Sequence, residues 1–252
     1  MANNYTASDL KKDVKDAARE TADDVKSGVD KLARDAKDAW NKAQDTAGAY
    51  KSLELKGEGT SDGKPATMTA KGDVNGGKLE MSGKIGDGTM DLIKVDSKNY
   101  MKANKAFFTQ TSSGSPAASN TDKIADKWLE MPADGSSNTG FKELIDNIKN
   151  DSSEPNKKLL SDKATVSEDK ADGKDAWKIQ SEDKKVTAWV SQEDRRDILK
   201  TEGFDSASVA STSGSSAKSD ESMKTVTFLS HDKDYGIKAP SGATSITDAM
   251  GS

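Results

Sequence analysis

After Tyr50 the hydrophobic period of this chain changes from helical to two, and it returns to two for most of the remaining length. Leu53 and Leu55 alternate with Glu54 and Lys56. Met68 and Ala70 follow, then Leu79, Met81, Gly83 and Ile85, then Met90 and Leu92. Turn sequences separate these bursts: SDGKP at 61–65, NGG at 75–77, GDG at 86–88 and DSKN at 96–99. Alternation resumes at Ala164 and Val166, Trp177 and Ile179, Val186, Ala188 and Val190, Ile198 and Leu199, and Val226 and Phe228. KADGK at 170–174 turns one hairpin among them. Short, evenly spaced strands with polar alternates predict an antiparallel meander with one wet face.

Helical spacing interrupts the strands in two places. From Asp9 to Ala47, Leu10, Val14, Ala18, Ala22, Val25, Val29, Leu32, Ala36, Trp40, Ala43 and Ala47 recur every three or four residues, and Gly48 stands where a helix would stop. The stripe is narrow and mostly alanine. A solvated stalk, a weak coiled coil and a surface-lying helix all fit it. Membrane-lying helices carry bulkier apolar residues, which favours a stalk or spacer over 1–48 whose last turns, around Trp40 and Ala43, pack on a domain at 49–252. Inside that domain TDKIADKWLEM and GFKELIDNIKN show helical spacing through Ile124, Trp128, Phe141, Leu144, Ile145 and Ile148, and a short helical piece follows Glu154-Pro155. VDSKNYMKANKAFF (95–108) reads as the end of one strand, a turn, and a second strand ending in Phe107 and Phe108. The Ser/Ala/Gly-rich stretch at 205–221 is expected to be a mobile loop, and the tail from Tyr235 a short extended piece with a frayed end.

The residues that carry chemistry are scarce. There is no cysteine and a single histidine, His231, which excludes thiolate catalysis, disulfides and Cys/His zinc sites. No nucleophile elbow, zinc-protease motif or phosphate-cradling loop occurs. Asp232, Asp234 and Gly236 in HDKDYG have neither the spacing nor the closing Glu of a calcium loop and read as a polar turn. Neither an enzyme nor any cofactor or metal is expected. A net charge of −5 with no basic cluster argues against nucleic acid as a partner. What remains is one apolar sheet face on which Met68, Met81, Met90 and Met101 fall in successive strands. Methionine suits surfaces that accept variable apolar ligands. Equally, these residues can form an ordinary core against the central helices.

The order of segments is familiar. SLELKGEG, IKVDSKNYMKANKAFF and ADKWLEM, then DGKDAWKIQ, TAWVSQEDRRDILKTEG and TVTFLSHDKDYGIKAPSG, resemble the actinobacterial cell-envelope lipoproteins of the LppX/LprG type, over roughly residues 40–242. Each motif alone is weak; the order carries the resemblance. It implies an α+β domain of LolA/LolB-like fold: a strongly curved antiparallel sheet, or half-barrel, packed on central helices, here preceded by a long N-terminal amphipathic helix. It implies a lipid or acylated ligand held between sheet and helices, against Leu55, Met68, Met81, Met90, Leu92, Phe108, Trp177, Ile179 and Phe228. It also implies an extracytoplasmic protein, anchored to the membrane through a lipidated cysteine ahead of the first residue. Protein partners are not implied. The alternative is a lipoprotein that keeps the fold, fills the cavity with its own side chains, and serves a structural or protein-interaction role without lipid.

Overall fold

The computed structural model describes residues 37–61, 63–111, 120–132, 141–204 and 222–251. The first part of the expected N-terminal helix and the serine-rich stretch at 205–221 therefore lie outside the described residues. Within them the protein is α+β, with a curved, unclosed sheet of twelve strands and a few short helices. Helix α1 covers residues 37–48. A meander of β1 (Ser52–Ser61), β2 (Lys64–Asp73), β3 (Lys78–Ile85), β4 (Gly88–Val95) and β5 (Lys98–Ala103) follows. Then come α2 (Lys105–Thr111), α3 (Thr121–Ile124), β6 (Leu129–Met131), α4 (Lys142–Lys149) and α5 (Glu154–Leu159). The chain returns through β7 (Thr165–Ala171), β8 (Lys174–Gln180), β9 (Thr187–Ser191), β10 (Ile198–Glu202) and β11 (Ser222–His231), and ends in β12 (Thr244–Ser245) and α6 (Ile246–Met250). The strand order is β12-β6-β5-β4-β3-β2-β1-β11-β10-β9-β8-β7, and only the β12–β6 pair is parallel.

Register explains why one face became the core. Residues paired across antiparallel strands share a face. One row runs Val166, Ile179, Ala188, Thr201, Val226, Gly57, Met68, Gly83, Met90, Ala103 from β7 to β5. The adjacent row runs Phe228, Leu55, Ala70, Met81, Leu92, Met101, Leu129 from β11 to β6. Methionine and glycine alternate along the first row, and a Cβ on Gly83 would stand 3.6 Å from the Met90 side chain, in ordinary contact. On the outer face the row Lys178, Trp189, Lys200, Thr227, Lys56, Thr69, Ser82, Asp91 is almost wholly polar. Register slips leave Leu199, Lys224 and Leu229 as extra residues in the β9–β10–β11–β1 region. Such bulges bend and twist a sheet, and three of them near its middle help it curl round the helices.

Helices α1, α4 and α5 fill the concavity. Trp40, Ala43 and Ala47 of α1, Phe141 at the start of α4 with its Leu144, Ile145 and Ile148, and Leu159 of α5 join the inward strand residues in one buried cluster. The three helices meet at Asn156, which is fully buried. Its side-chain NH2 donates to the carbonyls of Asn147, Ile148 and Asn150 at 3.1, 2.8 and 2.8 Å, and its oxygen accepts from the Trp40 indole at 3.2 Å. An indole N–H can only donate and carbonyls can only accept, so the amide has one satisfiable orientation. Gln44 adds a bond to the Ile148 carbonyl at 2.7 Å. Asn156 thus gives the Asn147 and Asn150 carbonyls a second donor beside the backbone N–H groups of Asn150 and Ser153, and the Ile148 carbonyl accepts from both amides.

The structure differs from the sequence reading in three places. Phe107 and Phe108 lie in helix α2, not a strand. Asn104 follows β5 and accepts from the Phe107 N–H at 2.9 Å in an N-cap arrangement, while its amide donates to the Asp87 carbonyl at 3.0 Å. TDKIADKWLEM is only briefly helical: Asp126 takes φ +60° and the chain enters β6, which pairs with β5. The tail does not fray at once: β12 and α6 return to the sheet, and Ile246, Ala249 and Met250 pack against buried residues.

Replacing Asn156 with Leu keeps the volume but strands the buried Trp40 indole N–H, at a cost of about 1–3 kcal/mol, and takes one donor from each of three carbonyls that keep another. The Asn156→Leu variant is expected to lose about 2–3 kcal/mol of unfolding free energy in urea titration. A loss below about 1 kcal/mol would mean the junction is not structural.

Candidate functional site

The concave face brings together most of the residues expected to line a ligand space. Leu55, Met68, Met81, Leu92, Ile179 and Phe228 all belong to the main buried cluster, with Leu55 and Ile179 at 0% exposure and Met81 at 2%. Along this stretch they are covered by the helices. Trp177 is apart: it shares the inward face through its pairing with Val190, but it lies near the sheet edge, half-buried and outside the cluster.

Met90 and Phe108 lead to a second region. Ala103, Phe108, Ile124 and Leu129 form a smaller buried cluster, surrounded by half-buried Met90, Met101, Phe107, Met131, Ile246, Ala249 and Met250. Met90 packs against both clusters and joins them. This end of the concave face, under β4, β5 and β6, is flanked by α2, α3 and α6 rather than by α1, α4 and α5. Helix α2 is seated closely: a Cβ on Gly88 would stand 3.0 Å from the Phe107 Cα. The Phe107 and Phe108 rings meet edge to face at 6.1 Å. The result is a flexible, polarizable apolar surface, only partly covered and continuous with the core. Of the residues named in VDSKNYMKANKAFF, Met101, Phe107 and Phe108 belong to it. Tyr100 does not, since it pairs with Ile93 on the opposite face.

Sequence reasoning missed Met131, Ile246 and Met250. For Met131 the misread helix hid the strand phase. For the tail there was a signal: Ser245 before Ile246 and Gly251 after Met250 bracket a short helix, and Gly251 takes φ +75°.

The outer face carries a different feature, an open groove of about 750 Å3 between the β7–β8 hairpin tip and strands β1, β10 and β11. Trp189, Leu199 and Leu229 give it apolar surface, and Leu229, an extra residue at a bulge, is 43% exposed. Several of its charges are already matched. Lys56 pairs with Glu58 at 2.7 Å and Lys200 with Glu202 at 2.8 Å, while the Lys200 ammonium lies 4.4 Å from the Trp189 ring centre. Asp169 accepts from the Trp189 indole at 3.0 Å. That bond, then the backbone N–H of Lys170, holds its carboxyl below the usual range. The HDKDYG segment is likewise self-satisfied: Asp232 accepts from the Lys51 N–H at 2.8 Å and from Arg195, and Asp234 from the Gly236 N–H at 2.9 Å.

No protein-family model matches the chain, and no curated protein matches it.

The two ends of the concave face should respond differently to a bulky side chain. Met81 is enclosed, so Met81→Trp is expected to overpack the core and cost about 1–3 kcal/mol. Met90 has room toward the half-buried end, so Met90→Trp should cost less than about 1 kcal/mol. Urea midpoints of the two variants check this, and equal losses would contradict the difference in enclosure.

Proposed function

We propose that this protein is a non-enzymatic, LolA/LolB-like lipoprotein domain of the LppX/LprG type, which carries lipid acyl chains on the concave side of its half-barrel. In this reading it works outside the cytoplasm, held at the membrane by a lipid anchor, and its ligand enters at the methionine-lined end. The observation that carries the reading is the half-buried surface of Met90, Met101, Phe107, Met131 and Met250, joined to the core through Met90. Thioether side chains adapt to acyl chains of varied length and unsaturation without a fixed polar contact. Burying acyl chain there contributes about 0.8 kcal/mol per methylene, against the ordering costs of both partners.

A second reading has its own observation. Leu55, Met81 and Ile179 are already enclosed by α1, α4 and α5, as expected of a lipoprotein with a filled core and a structural or protein-interaction role. The two readings differ in one measurement. Thermal unfolding with dispersed palmitoyl-chain phosphatidylglycerol is expected to show stabilisation that rises with lipid concentration, as ligand binding to the native state requires. Met101→Lys is expected to abolish that shift, because a charge on the ligand face would be left unpaired against acyl chain. No shift with this lipid, together with native mass spectra free of lipid from protein purified out of its own host, would favour the filled-core reading.

A further inference from the structure

The geometry points to a hinged lid: the segment Thr244–Met250 covers the methionine-lined end of the concave face, turns about Gly242, and lifts to admit a ligand. Two elements make up the lid. Strand β12 is two residues long and supplies the one parallel pair among the described strands, Thr244 with Leu129 and Ser245 with Glu130 of β6. Helix α6 has five residues, too few to be stable alone. It rests on α3 and β6, where Ile246, Ala249 and Met250 pack against the cluster of Ala103, Phe108, Ile124 and Leu129.

Its hold is slight beside what it covers. Ile124 and Leu129 have no exposure, yet none of the residues from Lys238 to Gly251 is buried. Besides the short β12–β6 pairing, two polar contacts seat the lid among the described residues. The Thr244 N–H donates to the Trp128 carbonyl at 3.1 Å, and the Lys123 ammonium donates to the Met250 carbonyl at 3.2 Å. Ser245, at the α6 N-cap, makes no side-chain cap bond.

The chain just before the lid is held more firmly. The Ser52 hydroxyl donates to the Lys233 carbonyl at 2.7 Å, and Asp232 accepts from the Lys51 N–H and from Arg195, both at 2.8 Å. Tyr235 bonds to Ser230, and Ile237 is buried. The turn after Pro240 separates the firm part from the loose one. Gly242 lies there at φ +73°, and a Cβ built on it would meet nothing within 4 Å, so nothing packs on that side of the residue. A hinge needs such a residue, able to absorb a backbone rotation between an anchored and a loosely seated part. Lifting the lid uncovers Phe108, Ile124 and Leu129 beside the half-buried Met90, Met101 and Met131. The lid stands on this geometry, while an acyl chain as its ligand rests on the carrier reading above.

The chain has no cysteine, so a reversible lock can be placed across β6 and β12 as Glu130→Cys with Ser245→Cys, at paired positions. The Thr244 amide reports the seat, because its bond to Trp128 exists only while the lid is down. In the full chain without ligand, its hydrogen exchange is expected to be at least about 100-fold faster than that of β2 and β3 amides, and at least about tenfold slower once the disulfide closes. Uptake of radiolabelled palmitoyl-chain phosphatidylglycerol should slow at least about tenfold in the oxidised form and recover on reduction. Ile246→Ser removes an apolar contact of the lid and should speed both processes, which keeps the test intact if the disulfide does not form. Thr244 exchange as slow as that of β2, exchange unchanged by the lock and by Ile246→Ser, or lipid uptake at one rate in both redox forms would overturn the lid. Exchange that responds as expected, with no lipid uptake in either form, would support the lid and overturn the carrier reading instead.

Discussion

The structure depends on one buried amide. A curved sheet with a wet outer face has to cover its apolar inner face with helices, and those available here are short. Helix α4 has eight residues and α5 six, too few to be stable alone. Their ends bring polar backbone into an apolar interior. Asn156 ties that backbone together, donating to three carbonyls at the α4 terminus and accepting from the Trp40 indole of α1. Docking three helices thus becomes a single event rather than three marginal ones. Trp40, the largest fully buried side chain, is positioned by the same contact.

That junction also divides the concave face. Where α1, α4 and α5 reach, the strand residues are enclosed and pack against one another. Beyond their reach, under β4 to β6, short helices from other parts of the chain take over, and the surface turns to half-buried methionine and phenylalanine. Asn104 and the tight seat of Phe107 against Gly88 fix α2 there without covering the surface fully. One sheet therefore carries two kinds of interior, one built for stability and one with room to adapt, with Met90 between them.

Much of the sheet was legible in the sequence, because period-two alternation bounded by Asp-Gly and Asn-Gly turns leaves few alternatives. The 170–174 turn, for example, places Asp172 and Gly173 at φ +49° and +77°, as a tight hairpin requires. Most residues facing inward followed from phase: Leu92 is buried in the core, and its neighbour Ile93 pairs with Tyr100 on the other face. Less legible were short elements whose identity is set by a single capping contact. Asn104 turns NKAFF into a helix through a side-chain bond that no hydrophobic period reveals, and Leu129 to Met131 become a strand because β5 offers an edge. The candidate surface was half visible: Met90, Met101, Phe107 and Phe108 stood out, but their partners Met131, Ile246 and Met250 arrive from distant segments. The cluster of Tyr50, Arg195, Asp197 and His231 was invisible, since these residues converge only when the sheet closes the distance between them.

Methionine methyl groups report on both interiors at once, and the chain has eight methionines. In methyl NMR with selectively labelled methionine, addition of palmitoyl-chain phosphatidylglycerol should shift the signals of Met90, Met101, Met131 and Met250 and leave Met68 and Met81 in place. Shifts confined to Met68 and Met81, or none at all, would contradict an adaptable end beside a closed core.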